Sequence, residues 1–494
     1  MSINNYILNL LNIKDENIYI VKEIKEEMIK NKKYKIIEGF LSYKPEYCPH
    51  CGVVNESSDD IIKWGYRKNC KIRIPKQNNC LTRLILHKQR FYCKHCNNTF
   101  IAETSLVNRN KNISNNTELQ IVEELTHKQS EKDISERTDV SSSKVDRKIS
   151  EISSHTVLRH SALPTSMNWE EFKATKDTKG KMAFIITDND KENIFDILDS
   201  RKSNDLEKYF LRYQRAERNK VKHISIDFYS GYISLAKKMF KNANISIDRF
   251  HIVIQAYNAL NITRVKLCYK SNPYYHKLKN YWKLILKNEN DLSSEKKYSK
   301  YFRKEMSQQE IVQFLVNTNK TLKTTYQCYQ GIINSIKEND FNKFKNIVLH
   351  KNKSISDKMK QALKLYNENI NYIENSFKYD INNGIIEGTN NLIKCIKRIA
   401  FGYKRFDHFV TRIFLIKGTL KGWLSSSPIF NSFIKNYCLP TLFDKEPKMM
   451  NYSSQVGQIT SPFLITNRSL HLGHLSPVGL YQDAYLHLGK LSHP

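Results

Sequence analysis

The chain has 494 residues, with 80 Lys and Arg against 49 Asp and Glu and a formal net charge of +31; at roughly 100–200 residues per domain this allows two to four domains. An excess this large, spread along the whole chain, would strain a partnerless protein by self-repulsion, and it fits a protein lying along nucleic acid. No run of about 18 apolar residues is present, which excludes a helical membrane span and with it a membrane partner.

The first twelve residues lack the basic lead and small-residue cleavage site of an export signal, so a cytoplasmic protein associated with the bacterial nucleoid is expected. Abundant Lys, Asn and Ile suggest an A+T-rich coding sequence. Residues 1–45 read as an N-terminal lead, a short helix and then a strand at 34–42. Residues 46–105 hold two C-x-x-C knuckles, Cys48/Cys51 and Cys93/Cys96. Such knuckles let paired thiolates reach one ion, and two of them complete a closed, structural Zn²⁺ site. Strands expected at 60–66, 71–75 and 84–92 supply the hairpin of a zinc ribbon. The competing reading is two unrelated buried cysteine pairs. His50 and His95 are bystanders within the knuckles, and Cys70 and Cys80 are spare.

Residues 106–158 read as a helix-turn-helix, with helices at 119–125, 132–137 and 141–152. Ser141 or Ser142 caps the last helix. Val140, Val145 and Ile134 would pack inward. Ser142, Ser143, Lys144 and Arg147 would then face the phosphates and the major groove of double-stranded DNA. The alternative is an ordinary three-helix linker.

Residues 159–255 turn to strands. One carries Glu170; two more follow at 182–187 and 193–198; a helical face lies at 206–213. The alternating run 221–226 ends on Asp227, and a last short strand leads into Asp248. That order is the order of an RNase H-like fold, which places one carboxylate on its first strand and another at the end of its fourth. Residues 256–380 read as an all-α insertion. Residues 381–425 hold the last core helix, where Ile386, Ile393 and Ala400 share a buried face. Glu387, Asn391, Lys394 and Arg398 fall on the neighbouring face. Residues 426–494 form an atypical tail in which, beyond about 450, Lys is rare and His, Leu, Gly and Ser dominate. The expected fold class is multidomain α+β: an N-terminal zinc ribbon and helix-turn-helix, then an RNase H-like α/β catalytic fold interrupted by an all-α insertion. Glu170, Asp227 and Glu387 together suit two hard divalent cations, Mg²⁺ or Mn²⁺, which assist cleavage of a phosphodiester. Each acid taken alone would be a solvated surface residue.

The two knuckles, the helix-turn-helix, Glu170-Glu171-Phe172-Lys173, Ile226-Asp227-Phe228-Tyr229, Asp248-Arg249-Phe250-His251 and Gly384-Ile385-Ile386-Glu387-Gly388-Thr389-Asn390 resemble the ISL-three family of DDE transposases over about residues 40–420. The resemblance implies metal-dependent DNA cleavage and strand transfer at element ends. It also implies N-terminal modules that bind terminal inverted repeats, target DNA as second substrate, and a homo-oligomer assembled on the ends. The family pattern has Asp-Glu-Phe where this chain has Glu170-Glu171-Phe172. The alternative function is therefore a catalytically weak or inactive, transposase-derived DNA-binding protein. Asp188 and Asp190 are the substitute ligands, and Asp248 and His251 match a family motif without an assigned role.

Overall fold

The computed structural model describes residues 3–21, 25–57, 60–155, 160–178, 180–350, 353–379 and 384–418, without the side chains of residues 155 and 384–387. The tail expected at 426–494 lies outside the described residues.

The N-terminal part is one six-stranded sheet. Its members are β1 (Ile18–Ile20), β2 (Lys25–Ile29), β3 (Lys32–Leu41), β4 (Ile61–Gln77), β5 (Cys80–Cys93) and β6 (Thr99–Ile101). The order is β1-β3-β5-β4, with β2 on β3 and β6 on β5. Lys30 and Asn31, and likewise Asn78 and Asn79, all hold positive φ, the backbone that two-residue hairpin turns require. The runs expected separately at 60–66 and 71–75 are one strand, because register shifts absorb the residues between them. β3 runs parallel to β5, so the lead is part of the ribbon's sheet. Leu8 and Leu11, in and just after α1 (Ile3–Leu10), share a core with Ile37, Leu84, Phe91, Cys48 and Cys93. The boundary expected at residue 45 therefore does not separate two cores. The pairing that joins them is remote in sequence and leaves no local signal.

Next come α2 (Asn115–Leu125), α3 (Glu131–Arg137) and α4 (Ser142–His155). Ser114 caps α2, and Ser130 with Asp133 forms a capping box on α3. Ser141 caps α4 by accepting the Lys144 N–H at 3.2 Å. Asp139, in the left-handed conformation between α3 and α4, accepts hydrogen bonds from Tyr34 at 2.7 Å and Arg83 at 3.3 Å. The turn is thus tied to the N-terminal sheet.

Within this module Glu118 is buried and ion-paired with Lys144 and with Lys148, the latter at 2.7 Å. Burial works to raise the Glu118 carboxyl, but hydrogen bonds from the two lysines outweigh it and hold it below the usual range. A depressed carboxyl stabilises the fold above its unfolded pKa, and that stability is lost as pH falls through the folded value. Glu118→Gln is expected to cost about 3 kcal/mol near neutrality, since it leaves the buried Lys148 with the half-exposed Glu151, at 2.8 Å, in place of its buried partner. Urea melts of both proteins should show a constant gap down to about pH 4.5 that then narrows. A gap that ignores pH would remove the ion pair from the account.

Five strands form the second sheet: β7 (Ser166–Lys173), β8 (Met182–Asp188), β9 (Asn193–Leu198), β10 (His223–Ile226) and β11 (Asn244–Ile247). The order is β11-β10-β7-β8-β9. β7 to β9 pair antiparallel, while β10 lies parallel to both β7 and β11. α5 (Ser203–Phe210) and α6 (Arg215–Arg218) lie between β9 and β10, and α7 (Ser230–Met239) between β10 and β11. On one face Trp169 stacks on Phe210 and meets Phe184, Tyr232 and Phe240 edge-on.

α8 (Arg249–Lys266), α9 (Tyr275–Asn280) and α10 (Trp282–Ile285) begin the helical block, and α11 (Gln308–Asn317), α12 (Lys320–Lys337), α13 (Phe341–Leu349), α14 (Asp357–Glu368) and α15 (Ile370–Lys378) complete it. The insertion expected to be all-α also contains an antiparallel hairpin, β12 (Lys297–Ser299) with β13 (Lys304–Met306). Three-residue strands rich in Lys carry too little alternation to be read from sequence. α16 (Gly384–Ile399) and α17 (Phe406–Lys417) close the described chain. Positive φ at Phe401 and Gly402 splits what reads as one helix and its continuation.

The other face of the second sheet meets α16 and α17, and the three-helix module joins them in one core. Ile121, Leu125, Ile134, Val145, Ile149 and Ile152 belong to the same buried cluster as Phe172, Ile185, Ile393, Phe409 and Ile413. The boundary expected near residue 158 therefore cuts through packed side chains.

Candidate active site and metal centre

Strand register decides which acids meet. Ser225 pairs with Asn168 across β10 and β7, and Ile226 with Ile247 across β10 and β11. Asp227 and Asp248 each follow the last residue of a strand, and Glu170 lies two beyond Asn168. Continued by the same register, Glu170, Asp227 and Asp248 form one row on one face of the sheet. Asp227 accepts the Tyr229 N–H at 2.9 Å, and Asp248 caps α8 by accepting the Phe250 N–H at 2.8 Å.

Burial, followed by the charge of Asp248 and with a further push from Asp227, raises the Glu170 carboxyl to about 8. A hydrogen bond from Asn390 and the charge of Lys394 act the other way. Glu171, the next residue, points to the opposite face. There Arg201 donates to both of its oxygens at 2.8 and 2.6 Å, and Tyr232 lies at 3.5 Å. Of two adjacent glutamates, Glu171 is thus held by an ion pair and Glu170 by an amide hydrogen bond.

Buried polar atoms without a hydrogen-bond partner gather beside Glu170. They include Asn168 Nδ2 and Thr187 Oγ1, cross-strand neighbours on its face, and Thr389 Oγ1 and Asn390 Oδ1 on α16. Unsatisfied buried groups of this kind are costly in a dry core and suit a hydrated, cation-holding site. Glu387 lies on α16, but its side chain is outside the described residues. Asn391 and Arg398 are exposed, and Lys394 is half-buried near Glu170. Asn390 was not singled out from sequence, although it adjoins the residues that were. Asp188 pairs with Met167 on the face opposite Glu170, and it accepts the N–H groups of Asp190 and Lys191 at 3.0 and 3.1 Å. Asp190 is exposed, and His251 sits on the first turn of α8.

At the other centre, the sulfurs of Cys48, Cys51, Cys93 and Cys96 all lie within 4.8 Å of one another. Among the described residues this is the group of at least three donors so gathered; the carboxylate row is more open. Cys48 and Cys96 are 3.7 Å apart and Cys51 and Cys93 3.8 Å. A tetrahedron with metal–sulfur bonds of about 2.3 Å has edges of about 3.8 Å. The Gly52 N–H to Cys48 carbonyl bond, with Gly52 at positive φ, shapes the first knuckle, and the Cys93 N–H to Asn98 bond closes the second. His95 turns away to Asp60 at 2.9 Å, and His50 is exposed. Cys70 and Cys80 are not in the cluster.

On α4, Ser142, Ser143 and Arg147 are exposed as expected. Lys144 is not: it turns inward onto Glu118, whose buried charge attracts it more than solvent does.

A family model described as a transposase, of the ISL-three DDE group, matches residues 170–413. The chain belongs to the ISL-three family of DDE transposases. The match begins on the first residue of the acidic row and ends within α17. This transposase is also 30% identical over 132 residues to an ATP-dependent protease of Lactococcus lactis subsp. lactis. That stretch is 26% of the transposase and 42% of the relative, so the chain spans less than half of that protein's length. No described helix of the transposase is long and apolar enough to cross a membrane.

Proposed function

We propose that this transposase binds the ends of an insertion sequence and catalyses metal-dependent cleavage and strand transfer there, acting on nucleoid DNA in the bacterial cytoplasm. The observation that carries this reading is Glu170 beside Asp227 in one row, raised to about 8 by burial and neighbouring charge. A site that crowds acids at the edge of a core calls for cations. The strand order and directions of the second sheet match an RNase H-like fold, with carboxylates on its first and fourth strands. Glu170, Asp227 and Glu387 would hold Mg²⁺ or Mn²⁺, which supplies charge stabilisation to the attacking and leaving oxygens of the phosphodiester. Lys394 and Asn390 orient Glu170; Asn391 and Arg398 face the substrate backbone.

The three-helix module is read as a helix-turn-helix whose α4 presents Ser142, Ser143 and Arg147 to double-stranded DNA of the terminal inverted repeats. Pairing two ends requires a homo-oligomer. Gel shifts on the element's ends against random duplex test end recognition; equal affinity for both at every salt concentration overturns it. The protease activity named for the Lactococcus relative belongs to a protein of which this chain covers 42%, and it does not bear on this reading.

The second reading, a weak or inactive DNA-binding derivative, has one observation in its favour. Glu170 stands where the family pattern has Asp, and its raised pKa leaves it protonated at neutral pH. Metal binding must then displace a proton. Apparent metal affinity in a cleavage assay is expected to rise about tenfold per pH unit up to about pH 8 and then level off. A metal titration that gives the same midpoint at pH 6.5 and 8.5 removes Glu170 as a ligand.

The four cysteines are assigned one structural Zn²⁺. Changing any of them to Ser is expected to lose the metal and loosen the N-terminal sheet, because metal binding and folding are coupled. Zinc analysis of the purified full chain checks this, and a wild-type stoichiometry near zero contradicts it.

A further inference from the structure

The positive charge of the helical insertion is unevenly placed. From Lys266 to Lys304 there are eleven Lys and Arg against three Asp and Glu. From Glu305 to Asp380, a stretch nearly twice as long, there are eleven against eight. The hairpin β12–β13 sits at the end of the basic stretch. Lys297, Lys300, Arg303 and Lys304 are exposed on it, and Tyr298 is 69% exposed.

The hairpin is firmly seated. Tyr281 and Ser299 hydroxyls meet at 2.5 Å, and the Tyr281 ring packs on Tyr301 and Phe302. Phe302 packs edge-on against Phe314 of α11, and the Lys277 ammonium lies 4.7 Å from the centre of the Phe302 ring. Such anchoring lowers the ordering cost of binding a partner. An exposed tyrosine among lysines on a short two-stranded ribbon suits a polyanion with sugar and base edges, and not a simple anion. A merely solvated basic surface would not concentrate its net charge in about one third of the insertion.

We infer that the β12–β13 hairpin is a DNA-binding surface of the insertion, which contacts the phosphate backbone of duplex DNA through Lys297, Lys300 and Lys304. The inference rests on the transposase reading for the identity of the polyanion. It adds a third DNA-facing surface to the two proposed above, α4 of the three-helix module and the α16 face beside the acidic row.

The test is the salt dependence of duplex binding by the full chain, measured by fluorescence anisotropy on a labelled duplex carrying an element end. The variant is Lys297→Ala/Lys300→Ala/Lys304→Ala. The control is Lys358→Ala/Lys360→Ala/Lys364→Ala on α14, which removes the same charge from exposed positions elsewhere in the insertion. Each phosphate contact contributes about 0.9 to the slope of log affinity against log salt. The hairpin variant is expected to lose about 2 to 3 from that slope, and affinity at low salt should fall at least about tenfold; the control should keep its slope within about 0.5. Thermal melts confirm that both variants fold. An unchanged slope in the hairpin variant, or an equal fall in the control, overturns the inference and leaves the transposase reading standing. A wild-type chain that binds no duplex at all overturns both.

Discussion

Asp227→Ala is expected to reduce strand cleavage at element ends by about a thousandfold or more while leaving end binding within about twofold. A bound cation contributes several kcal/mol to a developing charge, and each 1.4 kcal/mol is about tenfold in rate. The side chain follows β10 and accepts the Tyr229 N–H, so its loss disturbs a turn more than core packing. Glu170→Ala should act the same way. Glu170→Asp should raise cleavage instead: the extra methylene displaces the carboxylate by about 1 Å, and such a misplacement can cost about a hundredfold. Glu171→Ala is the informative comparison. It frees Arg201 on the opposite face and should affect stability more than chemistry. Cleavage that survives Asp227→Ala, or falls equally with Glu171→Ala and Glu170→Ala, would dissolve the assignment.

Arg412→Met is expected to destabilise the fold by about 3 kcal/mol. Arg412 is fully buried on α17 and donates to the carbonyls of Leu125, His127 and Gln129, the last at 2.8 Å. These carbonyls end α2 and begin the turn after it, where helix geometry leaves acceptors unpaired. Hydrogen bonds from a charged donor contribute about 1.5–3 kcal/mol, and losing the donor strands acceptors away from water. Met keeps much of the aliphatic volume, so the loss measures hydrogen bonding more than packing. The same contacts bear on truncation. A fragment ending at residue 155 lacks Arg412, Phe409 and Ile413 and exposes the buried side of α4. It should melt non-cooperatively and bind element ends far more weakly than the full chain. Urea denaturation of the full-length variant decides the first point; a change under about 0.5 kcal/mol, the range of ordinary surface substitutions, would count against it.

Local features were legible in the sequence. The alternation of Val221 to Ile226 marks β10 and places Asp227 at its end, and the C-x-x-C spacing marks both knuckles. Ser141 caps α4, one of the two serines the sequence offered. Features that depend on distant partners were not legible. The parallel pairing of β3 with β5 has no local trace, which is why the first 45 residues read as a separate lead. Lys144 looks like an outward lysine on a recognition helix until Glu118, 26 positions earlier, is packed beneath it. Arg412 reads as one more basic residue in a basic chain, although it joins two modules. Glu170 and Glu171 cannot be told apart by composition; the pleat separates them, one towards Asn390 and one towards Arg201.

The most direct measurement is strand cleavage of a supercoiled plasmid carrying the element's ends, with wild-type protein and Mg²⁺, Mn²⁺ or chelator. Breaks are expected at the ends that depend on metal, that form faster with Mn²⁺ because Mg²⁺ demands near-ideal geometry around a lengthened ligand, and that vanish with chelator. Tight, salt-dependent binding of the ends without any cleavage in either metal would contradict this expectation.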